Sequence, residues 1–303
     1  MREIKIALDW TINTNHTGFV VAQQLGWYTQ HNLAVEILTP EADNYALTPA
    51  KKVELGEADF ALCPLESIIS YRTKANPFDA IAVAALLTED LSRIVTLKRP
   101  DIQSPKDLAG KTYASYQARY EDQIVEKVLE NDGATGHLTI TYPAKLGIWN
   151  TLLQKQADAT WIFDNWEGVE AKLKSVELTS FRLADYGIPY GYSPVIMASE
   201  QRIDANTDAY REFLQVSGQG FMYAKTHPEA AAALLEKVVP AADRNPDFLL
   251  ESQRYTAAYY GEEETWGRMD PNKVQQYLDW LLDNKLETTK LLLSEIMTDT
   301  LLS

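Results

Sequence analysis

Four short apolar runs, separated by segments with helical periodicity, open the chain and constrain its fold more than any other feature. They are EIKIALD (3–9), LAVEILTP (33–40), DFALCPL (59–65) and DAIAVAALL (79–87). Apolar runs of this length between helical segments are typical of strands in a parallel sheet that helices cover on both faces. The sequence therefore predicts an α/β lobe for residues 1–90.

The same pattern restarts after TED (88–90). The predicted strands are SRIVTLKR (92–99), KTYASY (111–116), HLTITYP (137–143), TWIFD (160–164) and SPVIMASE (193–200), with helices between them, one of them at 148–157. From Asp208 onward only helical periods follow, and 303 residues suffice for two lobes. We predict a lobe 1 of 1–90 plus about 195–303, which includes a helical tail, and a lobe 2 of 91–194.

Composition and motifs exclude several classes of function. The net charge of −15 argues against nucleic-acid binding, which needs clustered Lys and Arg. The single cysteine, Cys63, permits no internal disulfide, and the four histidines have no metal-ligand spacing. No phosphate-binding or dinucleotide-binding loop occurs. We expect no cofactor, no metal and no catalytic triad.

The N-terminal residues begin a strand at once and show none of the features of a secretory signal. Two expectations stay open. The protein is cytoplasmic, or the sequence is the mature form of a periplasmic or other extracytoplasmic protein.

Polar and aromatic side chains follow the predicted strands, where open α/β sheets bind ligands. The stretch LDWTINTNHTG (8–18) comes directly after the first strand, and Glu66 follows the third. Tyr116 and Glu121 follow the strand KTYASY, FDNWEGVE (163–170) follows TWIF, and YGIPYGY precedes the strand SPVIMASE. These positions are rich in aromatic rings and carboxylates and poor in Lys and Arg, with Arg119 as the one complication. Such a set favours an amine-bearing aromatic heterocycle over an anion.

Four motifs together resemble the thiamine-pyrimidine family, across roughly residues 3–225. They are LDWTINTNHTGFVVAQQLGWY, GEADFALCPLESII, DLAGKTYAS and FDNWEGVE. The family contains bacterial ABC-transporter binding proteins for formylaminopyrimidine and the fungal synthase of hydroxymethylpyrimidine phosphate. The resemblance implies an α/β fold of the type II periplasmic-binding-protein kind, with two α/β lobes, a ligand cleft between them and a helical C-terminal tail.

The sequence departs from the synthase branch at three places. The lysine that holds pyridoxal phosphate in that branch corresponds to Cys63, and the histidine that it consumes corresponds to Ser67. Its cysteine-rich run corresponds to IPYGY (188–192), which has no cysteine. We therefore expect a binding protein that is not an enzyme.

In the binding branch, the acid equivalent to Glu167 resembles the partner of the pyrimidine amino group and ring nitrogen, while Trp10 and the tyrosines of YGIPYGY would supply ring faces. The predicted ligand contacts are Asp9, Trp10, Asn13, His16, Glu66, Tyr116, Glu121, Asn165, Glu167 and Tyr190. Glu170 is expected to be a solvated helix residue. The expected partners are a small heterocyclic ligand and, if the protein is exported, an ABC permease. We expect no nucleic-acid partner and a monomer that closes on its ligand.

Structural roles compete with these assignments. Asp9 can organise the backbone, Asn13 can shape a turn, His16 can begin a helix, and Glu66 can complement a helix dipole. Two other functions also stay open: a cytoplasmic enzyme of pyrimidine biosynthesis that lacks the usual catalytic residues, or a binding protein for another small aromatic solute.

Overall fold

The computed structural model of the chain describes residues 1–143 and 146–302, which form two compact units. Unit 1 contains Met1–Asp90, Gly191–Val274 and the chain from Leu291 onward. Unit 2 contains Leu91–Tyr190 and Gln275–Lys290. The second unit thus includes part of the helical tail, which the sequence analysis assigned to lobe 1.

Each unit is built on a five-stranded sheet. The strands are β1 (Arg2–Ala7), β2 (Leu33–Leu38), β3 (Phe60–Cys63), β4 (Ala80–Ala85), β5 (Ser92–Leu97), β6 (Thr112–Ala114), β7 (Thr139–Thr141), β8 (Ala159–Phe163), β9 (Leu178–Phe181) and β10 (Val195–Ser199). The helices are α1 (Thr17–Gln24), α2 (Trp27–Gln30), α3 (Pro49–Leu55), α4 (Leu65–Thr73), α5 (Glu121–Asn131), α6 (Val169–Leu173), α7 (Glu200–Thr226), α8 (Pro228–Leu235), α9 (Pro246–Ala257), α10 (Pro271–Asp283) and α11 (Leu293–Ile296).

The sheet of unit 1 has the strand order β2-β1-β3-β10-β4. The strands β1, β2 and β3 are parallel, whereas β10 runs antiparallel to both of its neighbours. The four strands of residues 1–90 thus share one direction, as their pattern predicts, and only β10 runs against them. The chain comes back into this sheet through β10, after the whole of Leu91–Tyr190, and this returning strand is the one that runs the other way.

The sheet of unit 2 repeats this arrangement in the order β7-β6-β8-β5-β9. Here β5 is the antiparallel strand, and it is the strand through which the chain enters the unit. One face of the sheet packs on an apolar cluster that includes Val95, Ile148, Leu152 and Ile162. Burial of such side chains stabilises the unit by about 1.5–3 kcal/mol each.

The helices α1 and α7 cross in unit 1 at two glycines. A Cβ atom added to Gly220 would lie 2.0 Å from the carbonyl oxygen of Gly18, and one added to Gly18 would lie 2.2 Å from the ring of Phe221. Because the two backbones approach this closely, neither position has room for a side chain. The crossing helps to fix the start of α1, which follows the polar loop after β1.

Most predicted elements are present, with four differences. The helical pattern of TGFVVAQQLGWYTQHN (17–32) predicts one helix, but the structure has two, because Gly26 adopts a left-handed conformation between α1 and α2. The helix predicted at 148–157 is a series of turns, in which Leu153 and Gln156 bond five residues back instead of four. The pattern predicts no strand at β9, and it predicts a helical tail without marking α11 as a separate helix.

The start of α3 shows why such boundaries move. The pattern of NYALTPAKKVELGEA (44–58) predicts a helix, but the observed one begins only at Pro49, with the hydroxyl of Thr48 accepting the N–H of Lys51 at 3.2 Å. Proline at the first helical position and threonine before it form a strong start signal. Within 1–143 and 146–302, no helix combines the length and the apolarity that crossing a membrane requires.

Candidate functional site

The loop after β1 in unit 1 is held together by His16. Its ring is fully buried, and its Nδ1 accepts the backbone N–H of Asn13 at 3.1 Å. Since that nitrogen is an acceptor, the ring proton lies on Nε2, which donates to Oδ1 of Asp9 at 2.9 Å. His16 thus connects the two ends of the loop and fixes the orientation of the Asp9 carboxylate.

Asn13 has the turn-shaping role that the sequence left open. Its side-chain oxygen accepts the N–H of Asn15 at 2.8 Å, and its amide donates to the carbonyl of Thr11 at 3.1 Å. Both functional groups of the side chain are therefore engaged within the loop, at the start of a short 3-10 turn over Thr14–His16.

Trp10 is the exposed aromatic residue of this loop. Its side chain is 45% exposed, and its ring contacts Tyr45 edge-on with centroids 6.2 Å apart. An exposed indole beside a carboxylate is suited to stacking on a flat ring. Its role as a ligand contact stays a prediction.

Cys63 and Glu66 lie at the end of β3, next to the end of β1. The register pairs Ala7 with Ala61, so the residues after both strands emerge at the same edge of the sheet. Burial raises the pKa of the Cys63 thiol well above its ordinary value, and the charges of Asp9 and Glu66 add to the effect. The thiol is therefore protonated and is not a nucleophile. Glu66 is buried in the first turn of α4.

In unit 2, Glu167 lies in a π-helical turn, Asp164–Gly168, which directly follows β8. Its Oε2 accepts the backbone N–H of Phe163 at 3.1 Å. Burial of the carboxyl group raises its pKa to about 7, although backbone hydrogen bonds act in the other direction. Near neutral pH this carboxyl group can thus both donate and accept a hydrogen bond.

Tyr116 brings a phenol close to that carboxyl group. Burial raises the pKa of its hydroxyl well above the ordinary value, and the negative charges of Glu167 and Glu121 raise it further. The hydroxyl is therefore protonated, and it lies near enough to Glu167 for that charge to affect it. The structure thus brings together two of the residues that the sequence singled out on separate strand ends.

Glu121 is also buried, but the protein itself supplies its partners. Its carboxylate accepts the N–H of Tyr116 at 2.9 and 3.0 Å, the N–H of Ala118 at 3.2 Å and the hydroxyl of Tyr113 at 2.8 Å. Burial raises its pKa, while these donors lower it. Glu121 shapes the loop that carries Tyr116, whereas the sequence analysis expected it to contact ligand.

Tyr190 lies in an aromatic cluster that the sequence did not predict. Its ring meets Trp161 of β8 at 5.4 Å and Tyr277 of α10 at 5.6 Å, both edge-on. Trp161 could have been proposed from the sequence, because it lies in the predicted strand that leads directly to the turn with Glu167. Tyr277 could not, because it comes from a distant segment of the tail.

Two further residues anchor the π-helical turn. Asn165 is buried within it, and Asp164 pairs with Arg93 of β5 over 2.9 Å between Oδ2 and Nε. The role of Arg93 could not be predicted, because nothing in SRIVTLKR indicates which of its residues opposes Asp164. Among the residues that the structure describes, no cluster of His, Cys, Asp and Glu could hold a metal ion.

Comparison with known families gives one match that covers most of the chain. The family model described as "NMT1/THI5 like" matches residues 13–231.

Three curated proteins are similar to the chain. A putative thiamine biosynthesis protein of Haemophilus influenzae is 29% identical over 231 residues, which are 76% of this chain and 71% of that protein. A formylaminopyrimidine-binding protein of Halalkalibacterium halodurans is 22% identical over 236 residues, 78% and 70% of the two chains. A 4-amino-5-hydroxymethyl-2-methylpyrimidine phosphate synthase of Legionella pneumophila is 26% identical over 240 residues, 78% and 74%.

Solved structures are similar over nearly the whole chain. The alkanesulfonate-binding protein SsuA from Xanthomonas axonopodis pv. citri, bound to MOPS, has a TM-score of 0.72 at 13% identity and covers 98% of both chains. The Candida albicans CA3427 gene product, described as having the generic periplasmic binding protein fold, has a TM-score of 0.71 at 16% identity, over 99% and 97%. These likenesses confirm the predicted periplasmic-binding-protein fold.

Proposed function

The chain belongs to the NMT1/THI5-like family, and from this premise we propose that it is a solute-binding protein for a thiamine-related pyrimidine, of the formylaminopyrimidine or hydroxymethylpyrimidine type. Its partner would be the permease of an ABC import system, and its location periplasmic or otherwise extracytoplasmic. The similarity to a formylaminopyrimidine-binding protein supports this function.

The observation that carries the proposal is the Glu167 carboxyl group in the turn after β8, which accepts the N–H of Phe163 and whose pKa burial raises to about 7. An aminopyrimidine presents an exocyclic amine, which donates, next to a ring nitrogen, which accepts. A carboxyl group with a pKa near 7 can match both, since one oxygen accepts from the amine and the protonated oxygen donates to the ring nitrogen.

Aromatic rings of unit 2 would supply the apolar part of the proposed recognition. The Tyr190 cluster with Trp161 and Tyr277 would form one wall in unit 2. Edge-to-face arrangements of this kind hold rings rigidly, and a flat ligand ring gains about 0.5–1.5 kcal/mol from each aromatic contact beyond its buried area.

The family also contains a synthase, and Cys63 argues against that activity here. At the position where the resemblance places the cofactor lysine stands a buried thiol, with Ser67 as its hydrogen-bond partner. Neither side chain can form an imine with pyridoxal phosphate. Two alternatives stay open. One is a cytoplasmic enzyme with other chemistry, which the similarity to a synthase suggests, and the other is a binding protein for a different aromatic solute.

A thermal-shift panel tests the proposal. It compares formylaminopyrimidine, hydroxymethylpyrimidine, thiamine, polyamines and alkylsulfonates, with native mass spectrometry of the purified protein to detect a co-purified ligand. We expect the two pyrimidines to stabilise the protein most and thiamine less. Stabilisation by sulfonates alone would contradict the proposal. A covalent adduct of pyridoxal phosphate on a side chain of the protein would favour the enzyme.

A further inference from the structure

Two backbone amides of the loop between β6 and α5 donate to a carboxylate of the protein itself. The N–H groups of Tyr116 and Ala118 point at the Glu121 carboxylate, and Gln117 between them has a φ of 63°. Amides that converge in this way, on either side of a residue with positive φ, form a concave arrangement suited to an anion. Here the anion is the side chain of Glu121, which is only 4% exposed.

The neighbouring hydroxyl groups are occupied as well. Ser115 donates to Asp122 at 2.6 Å, and Tyr142 donates to the other oxygen of Asp122 at 2.7 Å. Tyr113 donates to Glu121 at 2.8 Å. The carboxylates of Glu121 and Asp122 therefore accept hydrogen bonds from three hydroxyl groups and two backbone amides.

The nearby cations are neutralised in the same way. Arg119, in the same loop, pairs with the buried Glu287 at 2.6 Å, and Arg93 pairs with Asp164 at 2.9 Å. An anionic ligand that approached Tyr116 would find the amides already bonded and carboxylate charges close by. The electrostatic potential there disfavours a second negative charge.

We propose that Glu121 is a specificity-determining residue, which excludes phosphorylated and other anionic ligands by placing its own carboxylate on the amides of Tyr116 and Ala118. It acts through the loop and also positions Tyr116 beside Glu167. This inference rests on the proposed function and narrows it, because it makes the ligand an uncharged pyrimidine alcohol or formamide, without a phosphate group.

The test measures a ratio of affinities. The probes are 4-amino-5-hydroxymethyl-2-methylpyrimidine and its phosphate monoester, titrated by calorimetry into the wild-type protein, Glu121→Gln and Glu130→Gln. Glu130 is the matched control, since it lies in the same helix with a side chain 67% exposed and pairs with Lys127 at the surface.

In the wild type, the monoester should bind about 100-fold more weakly than the alcohol. Glu121→Gln should reduce this ratio by about tenfold, because the repelling charge is gone, and Glu130→Gln should leave it unchanged. A purely structural role would weaken both probes equally and leave the ratio constant, which would overturn the inference. Glu121→Asp, which keeps the charge, should restore the wild-type ratio.

Two measurements separate this inference from the proposed function. If neither pyrimidine binds the wild type, the proposed function fails. Inorganic phosphate then tests the role of Glu121 by itself, because it should raise the melting temperature of Glu121→Gln but not of the wild type. Equal responses to phosphate would refute it. If Glu121→Gln does not fold, the wild type decides, since tighter binding of the monoester than of the alcohol would exclude the proposed role.

Discussion

The Nε2 atom of His16 lies 2.9 Å from Oδ1 of Asp9, seven residues earlier in the chain. The same ring accepts the N–H of Asn13, so one buried imidazole fixes the whole polar loop after β1. A histidine among acids and amides invites a catalytic interpretation. Both of its nitrogens are instead used to hold the loop, and its role is to position Asp9.

His16→Ala should destabilise unit 1 by about 2–4 kcal/mol, because it leaves a buried N–H and a carboxylate without their partner and opens a cavity. Chemical denaturation measures this loss. His137→Ala is the control, since that side chain is 90% exposed, and it should change the free energy of unfolding by less than about 0.5 kcal/mol. Similar effects of the two substitutions would contradict the positioning role.

Gly220→Ala should destabilise unit 1 by about 1–3 kcal/mol or more, although alanine favours helices intrinsically. The added Cβ would lie 2.0 Å from the carbonyl oxygen of Gly18, so α1 and α7 would have to separate. The melting temperature reports the change. Gly136→Ala is the control, because its nearest neighbour, the Cβ of Ala109, is at an acceptable 3.4 Å. An unchanged melting temperature for Gly220→Ala would mean that the two helices pack less closely than described.

The sequence predicts the parts of the fold that depend on local patterns and misses those that depend on distant segments. The apolar runs of β1, β3 and β8 are local, and the strands that they predict are present. The direction of β10 depends on where the chain returns to the sheet, which no local pattern encodes. No local pattern encodes that residues 275–290 belong to unit 2 either.

The candidate site shows the same division. The positions after the strands could be listed from the sequence, because strand ends are local features. The roles of the side chains could not be assigned, since they depend on partners. Glu121 and Glu167 are both acids near the start of a helix, yet the first is saturated by backbone amides, and the second keeps a pKa near 7. Whether the ten predicted residues contact ligand stays a prediction.

Glu167→Ala should weaken binding of the best pyrimidine about 10- to 100-fold, since it removes a carboxyl hydrogen bond that contributes about 1.5–3 kcal/mol. Glu167→Gln should weaken it less, because the amide also accepts one hydrogen bond and donates another. Titration calorimetry measures the change. Glu170→Gln should have a smaller effect, but Glu170 is not the solvated residue that the sequence predicts, because it bonds to Trp149 and Lys174. Glu130→Gln is the cleaner control and should leave the dissociation constant unchanged. A larger effect at Glu170 than at Glu167 would place the ligand on the other side of this turn.

The raised pKa of Glu167 also predicts how stability depends on pH. Its carboxyl group has an ordinary value of 4.5 and titrates at about 7 in the folded protein, so between these two values the folded state binds more protons than the unfolded state. The contribution of Glu167 to the free energy of unfolding should therefore fall as the pH rises from 4.5 to 7, by up to about 3 kcal/mol. The amide of Glu167→Gln cannot ionise, so this variant should lose less stability over that window than the wild type.

Urea denaturation at several pH values between 4.5 and 8 measures the difference, with Glu130→Gln expected to follow the wild type. Parallel pH profiles for the wild type and Glu167→Gln would show that this carboxyl group is not shielded from water, and would remove the basis for its proposed pairing with an aminopyrimidine.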